Sequence, residues 1–89
     1  MKGLRLQESF KKDLKRIAKR GWNRIKLDAI VILLRTNEPL PINARPHKLT
    51  GEWLGFSECH VGPNWLLIYD VKDTEVLLAR SGTHADLFG

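Results

Sequence analysis

Residues 64–71 read NWLLIYDV, and this stretch decides the fold. Alternating side chains put two apolar sets on opposite faces: Trp65, Leu67, Tyr69 and Val71 on one, Leu66 and Ile68 on the other. A strand that is apolar on both faces is typical of the centre of a sheet. We therefore predict a central strand here, with helices covering one face of its sheet.

Two further strand-like runs, 52–61 and 75–81, flank the central strand, and residues 2–6 have the character of a short first strand. The intervening turns, 62–63 and 72–74, are short, so consecutive strands should pair antiparallel. A connector with Pro39, Pro41 and Pro46 precedes these strands and is excluded from helix interiors and central strands.

Helical periodicity occupies the region between the first strand and the connector. Phe10, Leu14, Ile17 and Ala18 form one apolar stripe, with Ser9 as the expected N-cap and Gly21 as the end of the helix. Asn23 should cap a second helix that runs to about Thr36, and its inward residues should be Ile25, Ala29, Ile30, Leu33 and Leu34. The order β-α-α-β-β-β predicts an α+β fold, with an α-helical hairpin packed on one face of a small antiparallel sheet.

Composition limits the class of protein. The 89 residues suit one domain, 1–89, and 43% hydrophobic residues argue against disorder. A net charge of +5 favours an anionic partner such as nucleic acid. One cysteine, no secretory signal and no long apolar run together predict a cytoplasmic protein without a membrane role.

Polar clusters that contain His47, His60 and His84 lie near the expected strand ends, and Arg80 belongs to the last cluster. Imidazoles can exchange protons near neutral pH, and a guanidinium can stabilise phosphorane charge, so the combination suits metal-free RNA cleavage. Each residue also has a plainer interpretation. The histidines can be structural, and Arg80 can pair with Glu58 or Glu75. Metal-ligand spacings are missing, and Cys59 and His60 should point apart, so we expect no metal site and no cofactor.

Three segments, 46–53 (PHKLTGEW), 58–69 (ECHVGPNWLLIY) and 80–88 (RSGTHADLF), resemble the YafQ branch of the RelE/ParE toxin superfamily. The resemblance covers essentially the whole chain. It implies a RelE-like twisted sheet with helices on one face. It also implies the toxin of a type II toxin–antitoxin system, a ribosome-dependent mRNA endoribonuclease that inhibits translation.

The resemblance also implies roles for individual residues. The catalytic set it implies is His47, His60, His84 and the position of Asn64, and the substrate-binding set is Arg80, Trp65, Phe88 and Lys48. Asn64 departs from the family pattern, which has an aspartate there, and an amide cannot exchange a proton at working pH. A weakened or inactive binding variant therefore stays open as an alternative.

The expected partners are a cognate antitoxin, the ribosome and mRNA. The first helix should present a basic face to the antitoxin or the ribosome: Lys11, Lys12, Lys15, Arg16, Lys19 and Arg20. The antitoxin complex is also expected to repress its own operon. The other open alternative is a non-enzymatic toxin like ParE that acts on a protein such as gyrase, which would not need the three histidines.

Overall fold

Five strands form one sheet in the order β1-β5-β4-β3-β2, with β4 at its centre as predicted. The computed structural model describes residues 1–89. The strands are β1 Gly3–Leu6, β2 His47–Lys48, β3 Ser57–Gly62, β4 Trp65–Val71 and β5 Glu75–Gly82. The predicted strand 52–61 begins only at Ser57, because residues 51–53 form a short 3-10 helix.

The sheet is mixed, which corrects the prediction of an antiparallel one. β1 runs parallel to β5, in a register that pairs Gly3 with Glu75 and Leu6 with Leu78, whereas the remaining pairs are antiparallel. Short turns impose antiparallel pairing only on β3, β4 and β5. β1 and β5 are separated by most of the chain, so no short turn joins them and turn length does not fix the direction of their pairing.

Two helices, α1 Glu8–Arg20 and α2 Arg24–Arg35, follow β1. Asn23 caps α2 as predicted, because its side chain accepts a hydrogen bond from the N–H of Ile25. The prediction that Ser9 caps α1 is wrong. Gln7 occupies the N-cap position without a side-chain bond, and the Ser9 hydroxyl instead donates to the carbonyl of Ala79 at 2.8 Å.

The main core lies between these helices and the sheet. Its 13 buried residues include Phe10 and Ile17 from α1 and Leu67 from β4. The inward face predicted for α2 was only partly right, since Ile25 and Ala29 are exposed while Leu27 and Val31 are buried. We call this side of the sheet the helical face.

The opposite side of the sheet, the outer face, carries a second cluster of four buried residues: Leu66, Ile68, Ala79 and Leu87. Leu87 belongs to a third helix, α3 His84–Phe88, which the sequence analysis did not predict. Helical structure therefore touches both faces of the sheet and not one alone. None of the helices has the length and apolar character that crossing a membrane would require.

Candidate active site

Three of the polar residues singled out from the sequence, His47, His60 and Arg80, lie in two adjoining rows across the outer face. Strand register gives the rows: His47, Glu58, Ile68 and Arg80 in one, and His60, Leu66 and Gly82 in the other. Residues that pair directly across strands share a face, and neighbouring strands are about 4.8 Å apart. His60 and the start of α3 just beyond Gly82 thus lie roughly 10 Å apart across the sheet.

His47 contacts Glu58 at the edge of this face. Its Nε2 lies 3.4 Å from Oε1 of Glu58, and its Nδ1 lies 3.2 Å from the carbonyl oxygen of Arg45. The imidazole is about half exposed, whereas the Glu58 side chain is buried. A buried carboxylate beside one ring nitrogen, with a carbonyl oxygen beside the other, orients the imidazole.

Arg80 is fixed by Asp13 of α1, and not by Glu58 or Glu75. Its Nε and Nη2 donate to the two carboxylate oxygens of Asp13 at 2.7 and 3.1 Å. Asp13 is only 1% exposed and also accepts from the N–H of Ser81 at 3.0 Å. Hydrogen bonding to Asp13 raises the pKa of Arg80. The guanidinium is therefore permanently charged and held in one orientation at the end of the first row.

The helix α3 is anchored by Asp86. A capping box joins Thr83 and Asp86, and Arg20 of α1 forms a bidentate pair with the same carboxylate, at 2.6 and 3.0 Å. These bonds hold the pKa of Asp86 well below its usual range. Gly82 is required at the approach, because φ is +158° there and an added Cβ would lie 2.8 Å from Asp86 Oδ2.

The anchored helix presents two of the predicted site residues. His84 and Phe88 are one turn apart, and their ring centroids lie 4.9 Å apart with a tilt of 44°. Both side chains are exposed, while Leu87 between them is buried against Leu66 and Ile68. The short helix therefore holds an imidazole and an aromatic ring together at the end of the second row.

Trp65, which the resemblance implies binds substrate, is not among the residues of the two rows. Its ring is buried on the helical face, 5.0 Å from that of Trp22, and its indole N–H donates to the Ser81 hydroxyl. Asn64 lies exposed in the β3–β4 turn, and its side chain makes no hydrogen bond within the chain. Lys48 is exposed beside His47, but strand alternation directs its side chain away from that histidine.

The predicted basic face of α1 is smaller than its sequence suggests. Arg20 is committed to Asp86, and Arg16 lies 3.3 Å from Asp13 and 3.9 Å from Asp86. Lys11 pairs with Glu8 at 3.2 Å. The exposed cations on α1 without an internal partner are Lys12, Lys15 and Lys19. Both arginines thus have carboxylate partners within the fold, and the partner-binding role of this face stays a prediction.

Comparison with known proteins identifies the family. The model of the YafQ bacterial toxins of type II toxin–antitoxin systems matches residues 2–89. The chain belongs to the YafQ toxin family. It is 42% identical over 81 residues to the mRNA interferase toxin YafQ of Escherichia coli strain K12, with 90% of this chain and 88% of the relative covered.

Solved structures of YafQ toxins agree with the fold. The crystal structure of YafQ from E. coli strain BL21(DE3) superposes with a TM-score of 0.93 at 37% identity and covers 100% of both chains. The E. coli DinJ–YafQ toxin–antitoxin complex contains a chain that superposes with a TM-score of 0.90 at 38% identity, covering 99% of this chain and 98% of that one. The RelE-like α+β architecture inferred from the sequence motifs is confirmed.

Two carboxylates in this YafQ-family chain were missed as site residues. Asp13 falls within the apolar stripe of α1, between Phe10 and Ile17, and a charged residue on such a stripe predicts a buried partner. Glu58 is two residues from His60 and therefore shares its face. Cys59 points away from His60 as predicted and lies in the core of the helical face, where burial raises its pKa to about 12, so it carries no thiolate near neutral pH.

Proposed function

We propose that this chain is an mRNA interferase, an endoribonuclease toxin that cleaves translated mRNA and so inhibits translation. The observation that carries the proposal is the arrangement of the outer face. His47, His60 and Arg80 lie in two adjoining rows, and anchored α3 adds His84 at their end. The relatives named mRNA interferase toxin YafQ support the same activity.

The chemistry follows from RNA itself. A base removes the proton of a ribose 2′-OH, the oxygen attacks the adjacent phosphorus, and a 2′,3′-cyclic phosphate forms. The bond to the 5′-oxygen breaks, and an acid supplies the proton that this leaving oxygen takes up. Negative charge grows on the phosphorane oxygens, where a fixed cation stabilises the transition state. No metal is needed for these steps.

The residues divide these tasks by their surroundings. His60 and His84 form the acid and base pair, in either order, and His47 assists because its contact with Glu58 holds the ring at the edge of the same face. Arg80, pinned by Asp13, faces the phosphorane charge. Phe88 provides an exposed ring for a base, and Asn64 orients a group by hydrogen bonding without moving a proton.

A cognate antitoxin is the second part of the proposal. The E. coli relative was crystallised as the DinJ–YafQ toxin–antitoxin complex. The unpaired lysines of α1, Lys12, Lys15 and Lys19, offer an acidic antitoxin segment or ribosomal RNA a cationic surface. Occupation of that surface by the antitoxin would exclude the ribosome. Because its target is translated mRNA on ribosomes, the toxin would act in the cytoplasm. The toxin–antitoxin complex would also repress its own operon.

The test is to map mRNA 5′ ends in cells after brief induction of the wild type, of His84→Ala and of Glu38→Ala. Wild type and Glu38→Ala should arrest growth and cut mRNA within reading frames. Glu38 is exposed and makes no ion pair, so it serves as the control. His84→Ala should lose at least about a hundredfold of the cleavage, the usual contribution of a proton-transfer group.

Other results would contradict the proposal in distinct ways. Growth arrest with intact mRNA in all three strains would indicate a toxin that acts on a protein. Harmless expression with intact mRNA would indicate a binding variant, and a large gain of cleavage in Asn64→Asp would then identify a weakened enzyme.

A further inference from the structure

A groove runs along α2 beside the β3–β4 turn and shares only His60 with the two rows of the candidate active site. It has two lobes of about 290 and 460 Å³. Lys26, Gly62 and Pro63 line both lobes, so they form one continuous depression, which we call the α2 groove. Lobes of this size accommodate ligands of nucleotide dimensions.

The charge of the α2 groove has one sign. Lys26, Arg45 and His60 line it, and no aspartate or glutamate does. Arg45 is the one arginine of the seven whose guanidinium has no hydrogen bond or ion pair within the chain. Lys26 is likewise unpaired. Unpaired cations around a concave surface without carboxylates attract a polyanion.

Apolar walls accompany these cations. Trp22 and Pro63 line the smaller lobe. The ring of Trp22 is only partly buried, with the Trp65 ring 5.0 Å away and the Arg20 guanidinium 5.1 Å from its centroid. A single-stranded nucleic acid offers both complements, because its phosphates need cations and its unstacked bases stack on aromatic rings. A duplex does not present free base faces, and the carboxylates of an acidic peptide complement the cations of the groove but not the ring of Trp22.

The α2 groove is continuous with the candidate active site. His60 lines the larger lobe and also begins the second row. Arg45 lines the same lobe, and its carbonyl oxygen lies 3.2 Å from Nδ1 of His47. A strand that passes the histidines can thus enter the groove without crossing the core.

We propose that the α2 groove binds the single-stranded RNA next to the cleaved bond, with Lys26 and Arg45 each neutralising a phosphate and Trp22 stacking a base. The inference rests on the proposed endoribonuclease function and adds a binding site to it. It predicts that affinity for RNA depends on residues that take no part in proton transfer.

The test measures fluorescence anisotropy of a labelled single-stranded RNA of mixed sequence, in a His84→Ala background so that the RNA stays whole. Lys26→Gln with Arg45→Gln should weaken binding roughly tenfold at low salt, since two charge-assisted contacts are lost. The slope of log Kd against log salt concentration should fall by about 1.4, the value for two phosphates of a single strand. Circular dichroism should be unchanged, because neither side chain has an internal partner.

The control removes the same charge at the other end of the sheet. Arg5→Gln with Lys72→Gln alters β1 and the β4–β5 turn, whose cations pair with Glu75 and Asp70. This double variant should bind RNA almost as the background does. Trp22→Phe should also retain affinity, whereas Trp22→Leu should lose about fivefold, because only the former keeps a stacking ring.

Equal affinity and equal salt slope for the two double variants would overturn the proposal. So would a lack of saturable RNA binding by the background protein, or a loss confined to binding of the acidic antitoxin. The proposed function stands or falls separately on mRNA cleavage in cells. Cleavage by the wild type with an unaffected groove variant would reject the α2 groove alone.

Discussion

The two faces of the sheet are built very differently. The helical face packs 13 buried residues under α1 and α2, whereas the outer face has a cluster of four beneath α3. The two rows that cross the outer face carry His47, Glu58, Arg80 and His60, and its covering helix has only five residues. The helical face therefore supplies most of the buried apolar area, whereas the titratable groups of the candidate site lie together on the outer face.

The difference shows how a chain of 89 residues can hold both a core and a site. A small domain has little surplus stability, so polar groups that must stay accessible are tolerable only where packing is already thin. Here α1 serves both faces. Its apolar stripe closes the core, while Asp13 and Arg20 reach around the edge of β5 to fix Arg80 and α3.

One cavity on each face should destabilise the protein by different amounts. Phe10→Ala on the helical face should lower the free energy of unfolding by about 4 kcal/mol, because a fully buried ring is lost. Leu87→Ala on the outer face should cost about 2 kcal/mol, because α3 can move partly into the space. Urea unfolding measures both values.

Cleavage should follow the opposite order. Below its unfolding midpoint Phe10→Ala should still cut mRNA, whereas Leu87→Ala should lose most activity, since α3 carries His84 and Phe88. Leu87→Met, which keeps volume, is the matched control and should retain both properties. Equal stability losses in Phe10→Ala and Leu87→Ala, together with unchanged cleavage in Leu87→Ala, would show that stability and activity do not depend on different faces.

A smaller effect separates two carboxylates that both lie on helices and both pair with arginine. Asp13→Asn should cost about 3 kcal/mol, because the buried carboxylate is the anion shared by the partly buried Arg80 guanidinium and the Ser81 N–H. Asp28→Asn removes an exposed pair with Arg24 and should change stability by less than about 0.5 kcal/mol. Thermal unfolding compares them.

The rate of RNA cleavage should also differ between Asp13→Asn and Asp28→Asn. Asp13→Asn should reduce the kcat for cleavage at saturating RNA, because Arg80 is no longer held against the phosphorane charge. Asp28→Asn should leave kcat unchanged. A variant at Asp13 that is destabilised but fully active, when assayed below its midpoint, would mean that Arg80 needs no fixed orientation.

The central strand, the antiparallel β3–β4–β5 meander and both long helices could be predicted from periodicity and turn lengths. Those features are local: alternation over 64–71 and the stripe from Phe10 to Ala18 depend on neighbours a few residues apart. Asn23 as a cap is equally local. The motif resemblance added the architecture and the family, which the comparisons confirm.

What escaped prediction depends on long-range partners. The parallel direction of β1, the partner of Arg80 and the anchor of α3 join residues that lie 66 or more positions apart in sequence. Ser9 shows how a distant partner can override a local one. Its hydroxyl donates to the carbonyl oxygen of Ala79 in β5 and does not cap the start of α1. The burial of Trp65 could not be separated from substrate stacking, since both use an apolar ring.

The mildest prediction concerns pH and the anchor of α3. Asp86→Asn should lower stability at pH 7 by about 1 kcal/mol, because the capping box and the anion facing Arg20 are weakened. The pKa of Asp86 is lowered by folding from an ordinary value of 3.8, so its stabilisation is complete above that value and is lost as pH falls toward the folded pKa. The gap between wild type and variant in urea midpoints should therefore be constant from pH 7 to about 5 and shrink steadily toward pH 3.

Asp73→Asn, in the exposed β4–β5 turn without an ion-pair partner, should show no such gap. A gap for Asp86→Asn that stays constant down to pH 3 would mean that the carboxylate charge does not hold α3 over the outer face.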